Sequence, residues 1–166
     1  MDESPRHAVA VRLQTQLNCL PTILAGVSHD ALGRRPTADK WSAIENLAHL
    51  ARYHEIFRER INRILREDRP SFTRYRAEED PQWPPWAAKS SDAILGELRT
   101  LRSQLITMFD TLADAELLRT GIHPRFGEMT VLQWMEFFLL HEGHHLYTVM
   151  QRARESLNPG NPSVTL

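Results

Sequence analysis

The chain has only one cysteine, Cys19, in 166 residues. No disulfide can form within it, and such sparse use of cysteine is typical of a reducing compartment. The opening residues, Met-Asp-Glu-Ser-Pro, lack the basic and apolar segments of a signal peptide. We therefore expect a cytoplasmic protein in which Cys19 is a small core residue.

The sequence also lacks long hydrophobic runs and an excess of either charge. Its most apolar stretch, residues 131–150, includes two glutamates and three histidines, which argues against a membrane span. Twenty Lys and Arg and 21 Asp and Glu give a net charge of -1, so the basic excess that binds nucleic acid is missing. We expect neither a membrane nor a nucleic acid as partner.

Four amphipathic helices, and no strands, are predicted from apolar residues that recur at steps of three and four. Pro21 falls within the first helix and should kink or split it. The second helix begins at a capping box, Ser42-Ala43-Ile44-Glu45, and runs to about Arg66.

The other two predicted helices lie in the second half of the chain. The third covers about residues 91–112, with Ser91 or Asp92 as its N-cap. The fourth begins at another capping box, Thr130-Val131-Leu132-Gln133, and runs to about Glu155.

The connection between the second and third helices, Glu67 to Lys89, is unusually long and contains Trp83 and Trp86. A connection of this length is often a lid or binding loop. The alternative is a strap fastened to the helices by its tryptophans, and both remain open. Four helices with one long crossover predict an all-α four-helix bundle, with residues 1–166 forming a single domain.

The segment His141-Glu142-Gly143-His144-His145 carries the most chemical information. His141 and His145 are four residues apart, so on a helix their imidazoles share one face and can share a metal ion. The segment also matches the HExxH signature of zinc proteases, in which Glu142 would be the general base. Such proteases need a further ligand downstream. The extended signature has a glycine three residues after its second histidine, but here that position is Thr148, and no histidine follows. A zinc protease is therefore the less favoured hypothesis, and Glu142 is either a general base or a solvated or supporting carboxylate.

A further histidine, His49, lies on the buried side of the second predicted helix with Tyr53 and Arg60. Histidines buried without partners are costly, so a metal ion or hydrogen bonds to backbone or glutamate must satisfy them. His49 with His141 and His145 would give a three-histidine site with one position open to water, as in catalytic metal sites. His54, among leucines and isoleucine, is interpreted as a packing histidine.

Two blocks of the sequence resemble the DinB/YfiT-like superfamily. Residues 40–50, Lys-Trp-Ser-Ala-Ile-Glu-Asn-Leu-Ala-His-Leu, resemble its kWS..E...HL signature, and residues 141–146 resemble its H..HHL. Residues 64–70 are also similar to the end of the second helix in many members. The resemblance implies a four-helix bundle, often a homodimer, that holds a divalent metal through three histidines.

Carried over by position, the ligands that the resemblance implies are His49, His141 and His145, with His144 as a neighbour. Many members have glutamine in place of Thr148. Characterised relatives are transferases or isomerases that depend on a low-molecular-weight thiol, mycothiol or bacillithiol, and others are described as metal-dependent hydrolases. The resemblance does not imply DNA binding.

The function we expect is that of a metal-dependent enzyme acting on a small molecule, either a hydrolase or a thiol-dependent transferase. Zinc, with nickel as the alternative, would activate water or a substrate thiol. Tyr53 and Arg60 are expected to orient an anionic substrate. The candidate pocket residues are Tyr53, Arg60, Trp134, His144 and Thr148. The competing hypothesis is a non-catalytic dimeric module that binds metal or ligand.

Overall fold

The computed structural model describes residues 4–157 of the chain. The helices are α1 (Pro5–Thr15), α2 (Leu20–Ile23), α3 (His29–Leu32), α4 (Ala43–Arg66), α5 (Trp83–Ala87), α6 (Ser91–Thr111), α7 (Asp114–Leu117) and α8 (Val131–Leu157). α4 packs against both α6 and α8, and α1 packs on the other side of the same two helices. The predicted all-α four-helix bundle is confirmed. No helix within residues 4–157 is long and apolar enough to cross a membrane.

Both predicted capping boxes begin their helices. Ser42 Oγ accepts a hydrogen bond from Glu45 N at 3.2 Å, and the Glu45 carboxylate accepts one from Ser42 N at 2.8 Å. Thr130 and Gln133 exchange the same pair of bonds at the start of α8, at 3.2 and 2.9 Å. Each box satisfies amide groups that the first turn of a helix leaves without partners.

The N-cap of the third predicted helix differs from the prediction, and the first predicted helix agrees with it. The cap of α6 is Ser90, whose Oγ accepts from Ala93 N, and neither Ser91 nor Asp92 serves. Ser91 is instead buried, with its hydroxyl against the His29 ring. The first predicted helix is split, as expected from its proline, by a 3-10 turn over Gln16–Cys19 between α1 and α2.

Two clusters of apolar residues form the core. One contains large rings, among them Phe57, Phe109, Trp134 and Phe138. The other is mainly aliphatic and includes Leu47, Leu50, Ile94 and Leu98. Cys19 packs, partly buried, against this second cluster, and burial raises the pKa of its thiol.

A β-hairpin precedes α8, where no strand was predicted. Its strands, β1 (Thr120–His123) and β2 (Gly127–Thr130), pair antiparallel. Each strand has four residues, and β2 shows no alternation of buried and exposed side chains, so the periodicity that identifies a strand is missing. The turn is held by His123, whose Nδ1 accepts from two backbone N–H groups, and by Gly127, whose φ is 75°.

The hairpin lies directly on the end of α4. At Gly121 a Cβ atom would be 2.7 Å from Ile64 Cγ1, so only glycine permits this approach. Ile122 exchanges backbone hydrogen bonds with the start of the crossover: its N donates to Pro70 O and its O accepts from Phe72 N. These contacts fix the hairpin beside α4 and the crossover.

The long connection between α4 and α6 is a strap with structure of its own. It contains the 3-10 turn Ala77–Glu79 and helix α5, and it buries both Trp83 and Trp86. Arg52 on α4 pairs with Asp80 at 2.7 Å, and Asp80 in turn accepts a hydrogen bond from Tyr75 Oη at 3.0 Å. The middle of the strap is therefore fastened to α4.

Candidate metal centre

Three histidines from α4 and α8 meet at one place. A ring nitrogen of each of His49, His141 and His145 lies within 4.8 Å of the other two. The Nε2 atoms of His49 and His141 are 3.3 Å apart. In tetrahedral zinc sites, with Zn–N bonds of about 2.05 Å, two ligand nitrogens are separated by about 3.3 Å. The spacing of this pair therefore fits a single bound zinc ion.

The three imidazoles are neutral at physiological pH. Burial lowers the pKa of His49 to about 4. Burial, with the nearby His49 ring, lowers the pKa of His141 to about 3, and burial with the neighbouring imidazoles lowers the pKa of His145 to about 2. Neutral imidazoles keep the lone pair that a metal requires, so the donor set suits a divalent ion such as zinc.

Asn46, one turn before His49, orients one member of the cluster. Its Nδ2 donates to Ser42 O at 2.8 Å, which leaves Oδ1 to accept from His145 Nδ1–H at 2.9 Å. With its proton on Nδ1, His145 presents the Nε2 lone pair to the cluster. No motif marks Asn46 in the sequence, although its position three residues before His49 places it on the same helix face.

Aromatic rings enclose the cluster. Trp41 lies 5.1 Å from the His49 ring and stacks on Trp83 of the crossover at 5.0 Å. Tyr53 lies 4.3 Å from the His141 ring, and Tyr75 lies 5.7 Å from His49 on another side. These rings pack around the imidazoles and limit their rotation.

A cavity of about 680 Å³ opens onto the cluster, between α4, the crossover, the hairpin and α8. Tyr53, Arg60 and His144, three of the expected pocket residues, are among those that line it. Residues of the crossover and hairpin also line it, but no motif marked them in the sequence. They include Arg74, Tyr75, Arg76, Glu78, His123, Arg125 and Phe126.

Two expected pocket residues lie elsewhere. Trp134 is completely buried in the ring-rich core, and its Nε1 donates to Gly121 O at 3.4 Å. The Thr148 hydroxyl donates to His144 O, one turn back in α8, and Thr148 is not among the cavity residues. Helical spacing placed both near the histidines, but it does not show which face of α8 the cavity meets.

Glu142 points into the core and not into the cavity. It has no exposed surface, and its carboxylate accepts from Arg102 Nη2 and, at 2.8 Å, from Gln16 Nε2. Burial raises the pKa of Glu142, and the Arg102 guanidinium opposes that shift. The proposals of a general base and of a solvated carboxylate are both corrected, because this carboxylate is the partner of a buried arginine.

The same arginine fixes His54. Arg102 Nε donates to His54 Nε2 at 3.2 Å and Arg102 Nη1 donates to Leu13 O at 2.9 Å, while His54 Nδ1 donates to Leu50 O at 2.7 Å. His54 is fully buried, as its interpretation as a packing histidine requires. This buried polar network joins α1, α4, α6 and α8 beside the three-histidine cluster.

Glu142→Gln tests whether this carboxylate is structural. It leaves Arg102 buried without a counter-charge, so we expect the free energy of unfolding to fall by about 3 kcal/mol while metal content is unchanged. Urea denaturation and elemental analysis measure the two quantities. The control is Glu136→Gln, also on α8, which breaks a half-exposed pair with Arg12 and should cost less than about 1 kcal/mol. A Glu142→Gln protein as stable as wild type would contradict the structural role.

His54 should make stability depend on pH. Burial and Arg102 lower its pKa from 6.5 to about 3 in the folded chain, so unfolding between these pH values takes up a proton. Stability therefore falls as pH falls below 6.5, by about 1.4 kcal/mol per pH unit for this group. In His54→Asn this group is absent, so the unfolding free energy should depend less steeply on pH, by the contribution of one proton. Parallel slopes for the metal-free wild type and variant would show that His54 is not the cause.

Asn46→Leu should weaken zinc binding by about 10- to 100-fold, because it removes the acceptor that orients His145. Competition with a chromophoric chelator measures the affinity. Asn62→Leu, on the same helix but outside the cluster, is the matched control and should bind zinc as wild type does. Equal affinities in all three proteins would rule out the orienting role.

Comparisons with known proteins agree with this architecture. YuaE of Bacillus subtilis (strain 168), an uncharacterized protein, is 29% identical in an alignment of 146 residues that covers 81% of this chain and 90% of YuaE. YfiT from Bacillus subtilis, described as a probable metal-dependent hydrolase with an unusual four-helix bundle topology, superposes with a TM-score of 0.76 at 18% identity, over 93% of this chain and 89% of YfiT. The DinB-like protein YjoA from Bacillus subtilis superposes with a TM-score of 0.62 at 16% identity, over 96% of each chain.

The two structural likenesses establish the fold. The sequence model of the DinB superfamily matches residues 12–149, which include all three histidines of the cluster. The resemblance identified from the two histidine blocks is thus confirmed, and the chain belongs to the DinB superfamily.

Proposed function

We propose that this protein is a metal-dependent enzyme that holds a divalent ion through His49, His141 and His145 and acts on a small molecule in the adjoining cavity. The observation that carries the proposal is the 3.3 Å approach of two neutral Nε2 atoms at a cavity of about 680 Å³. Structural zinc sites are closed by four protein ligands, whereas three histidines that face a cavity leave a position for water or substrate.

Zinc is the ion we propose, and nickel is the alternative, because imidazole nitrogens suit both. The bound ion would supply Lewis acidity, which brings the pKa of a coordinated water or thiol close to neutrality. Hydrolysis is the reaction class that we favour, since YfiT is described as a probable metal-dependent hydrolase. Transfer of a low-molecular-weight thiol is the alternative, and it needs the same ligands and cavity.

The protein's own side chains have separate roles in this proposal. Asn46 keeps His145 in the tautomer that a metal requires. Burial raises the pKa of Tyr53, so its hydroxyl stays protonated and, besides accepting from Arg60 at 3.3 Å, can donate to a substrate oxygen. His144 is exposed at the cavity and lies outside the three-nitrogen group, so its imidazole can form a hydrogen bond with a bound molecule.

Metal analysis of protein purified without a histidine tag tests the proposal. Wild type should carry about one equivalent of divalent metal per chain, and His145→Ala close to none, because two imidazoles hold such an ion weakly. His144→Ala, changed at the adjacent histidine, should retain its metal. Equal, near-zero metal in all three proteins would refute the site.

Activity separates an enzyme from a binding module. The metal-loaded protein should hydrolyse at least one member of a panel of esters, amides and thioesters, or transfer a thiol to an electrophile, and a chelator should abolish that rate. A protein that holds its metal and binds small molecules without any turnover would support the competing module.

A further inference from the structure

Arg60 has a buried guanidinium without a negatively charged partner. It is 8% exposed, and it donates to two neutral acceptors, Tyr53 Oη at 3.3 Å and Thr73 O at 2.8 Å. No ion pair among residues 4–157 includes it, whereas Arg102, also buried, has Glu142. The rings of Tyr53, Phe72 and Trp134 lie 5.6 to 6.0 Å from its guanidinium, but they carry no counter-charge. A buried charge without a counter-charge is costly, so the wall of the cavity at Arg60 is suited to an anion that comes from outside the chain.

Other charged residues around the cavity also favour the binding of an anion. Arg74 and Arg125 line its exposed edge and are in no ion pair of the described residues, while Arg76 pairs with Glu79 at 3.0 Å. Glu78 is the one acidic residue among those that line it. The surplus of positive charge attracts anions and repels cations.

A mainly apolar groove of about 650 Å³ continues from this cavity along α8 and the hairpin. Phe126, Phe137, His141 and His144 line both spaces. Beyond them the groove is bounded by Met129 and by Leu140, whose side chain is 70% exposed.

The two carboxylates of the groove are already paired. Glu128 accepts from Arg69 and Glu136 from Arg12. The charge available to a ligand is thus concentrated at the Arg60 end, and the other end offers apolar surface.

We propose that the substrate of this site is an amphipathic anion: its oxyanion, a carboxylate or a phosphate, pairs with Arg60, and its apolar part lies in the groove. The inference rests on the proposed function only in calling this molecule a substrate. Apart from His141, where the cavity meets the groove, the residues that bind it are not metal ligands, and its binding does not require the ion.

Calorimetric titration of the full chain, with EDTA present, tests the inference. The probes are acetate and octanoate, and inorganic phosphate and octyl phosphate. Each methylene that enters the groove should strengthen binding by up to about fourfold, so both octyl compounds should bind far more tightly than their short counterparts. The tighter of the two octyl compounds identifies the oxyanion. Octanoate and octyl phosphate no tighter than acetate and phosphate would overturn the proposal.

Substitutions at the two ends of the site test the oxyanion and the apolar part of the ligand separately. Arg60→Gln should weaken octanoate binding by about tenfold or more, because it removes a charge-assisted pair. The matched control is Arg63→Gln, one turn on in α4 and paired with Glu67 outside the cavity, which should bind as wild type does. Leu140→Ser should reduce the ratio of octanoate affinity to acetate affinity and leave the affinity for acetate unchanged.

Circular dichroism verifies that each variant is folded. If Arg60→Gln unfolds, Arg60→Lys, which keeps the charge, replaces it. Arg60→Lys should bind octanoate more weakly than wild type does and should still prefer octanoate to acetate. Unchanged octanoate binding in the Arg60 variant, or an unchanged chain-length preference in Leu140→Ser, would refute the inference. Since the titrations contain no metal, a wild type that purifies without metal would refute the proposed function and leave this result intact.

Discussion

The packing of α4 against α8 is the constraint on which the rest of the structure depends. It brings His49 to within 3.3 Å of His141, although 92 residues separate them in the chain. It also sets the direction of two adjacent residues of α8: His141 faces the cavity, and Glu142 enters the core to meet Arg102. One short segment therefore contributes both to the candidate metal site and to the buried network beside it.

Much of the fold and two of the three clustered histidines could be predicted from local sequence patterns. Capping boxes mark the starts of α4 and α8, and a spacing of four places two imidazoles on one helix face. The hairpin could not be predicted, since it depends on a side-chain cap by His123 and on the close approach of Gly121 to α4. The partner of Glu142 also escaped prediction, because Arg102 lies on a different helix and no local pattern connects them.

The two buried arginines differ in how their charge is balanced. Arg102 is neutralised inside the protein, and its network of hydrogen bonds holds four helices together. Arg60 is as deeply buried but has only neutral acceptors, so its charge acts on whatever enters the cavity. Neutral imidazoles and a cation without a carboxylate partner therefore line the same cavity.

The proposed function depends on three histidines that hold one divalent ion. X-ray absorption spectroscopy of the zinc-loaded protein tests it most directly, because the method counts and identifies the ligands. We expect three imidazole nitrogens at about 2.0 to 2.1 Å and a remaining light ligand from solvent. A first shell with sulfur, which would implicate Cys19, or with two imidazoles and a protein carboxylate in place of the third, would contradict it.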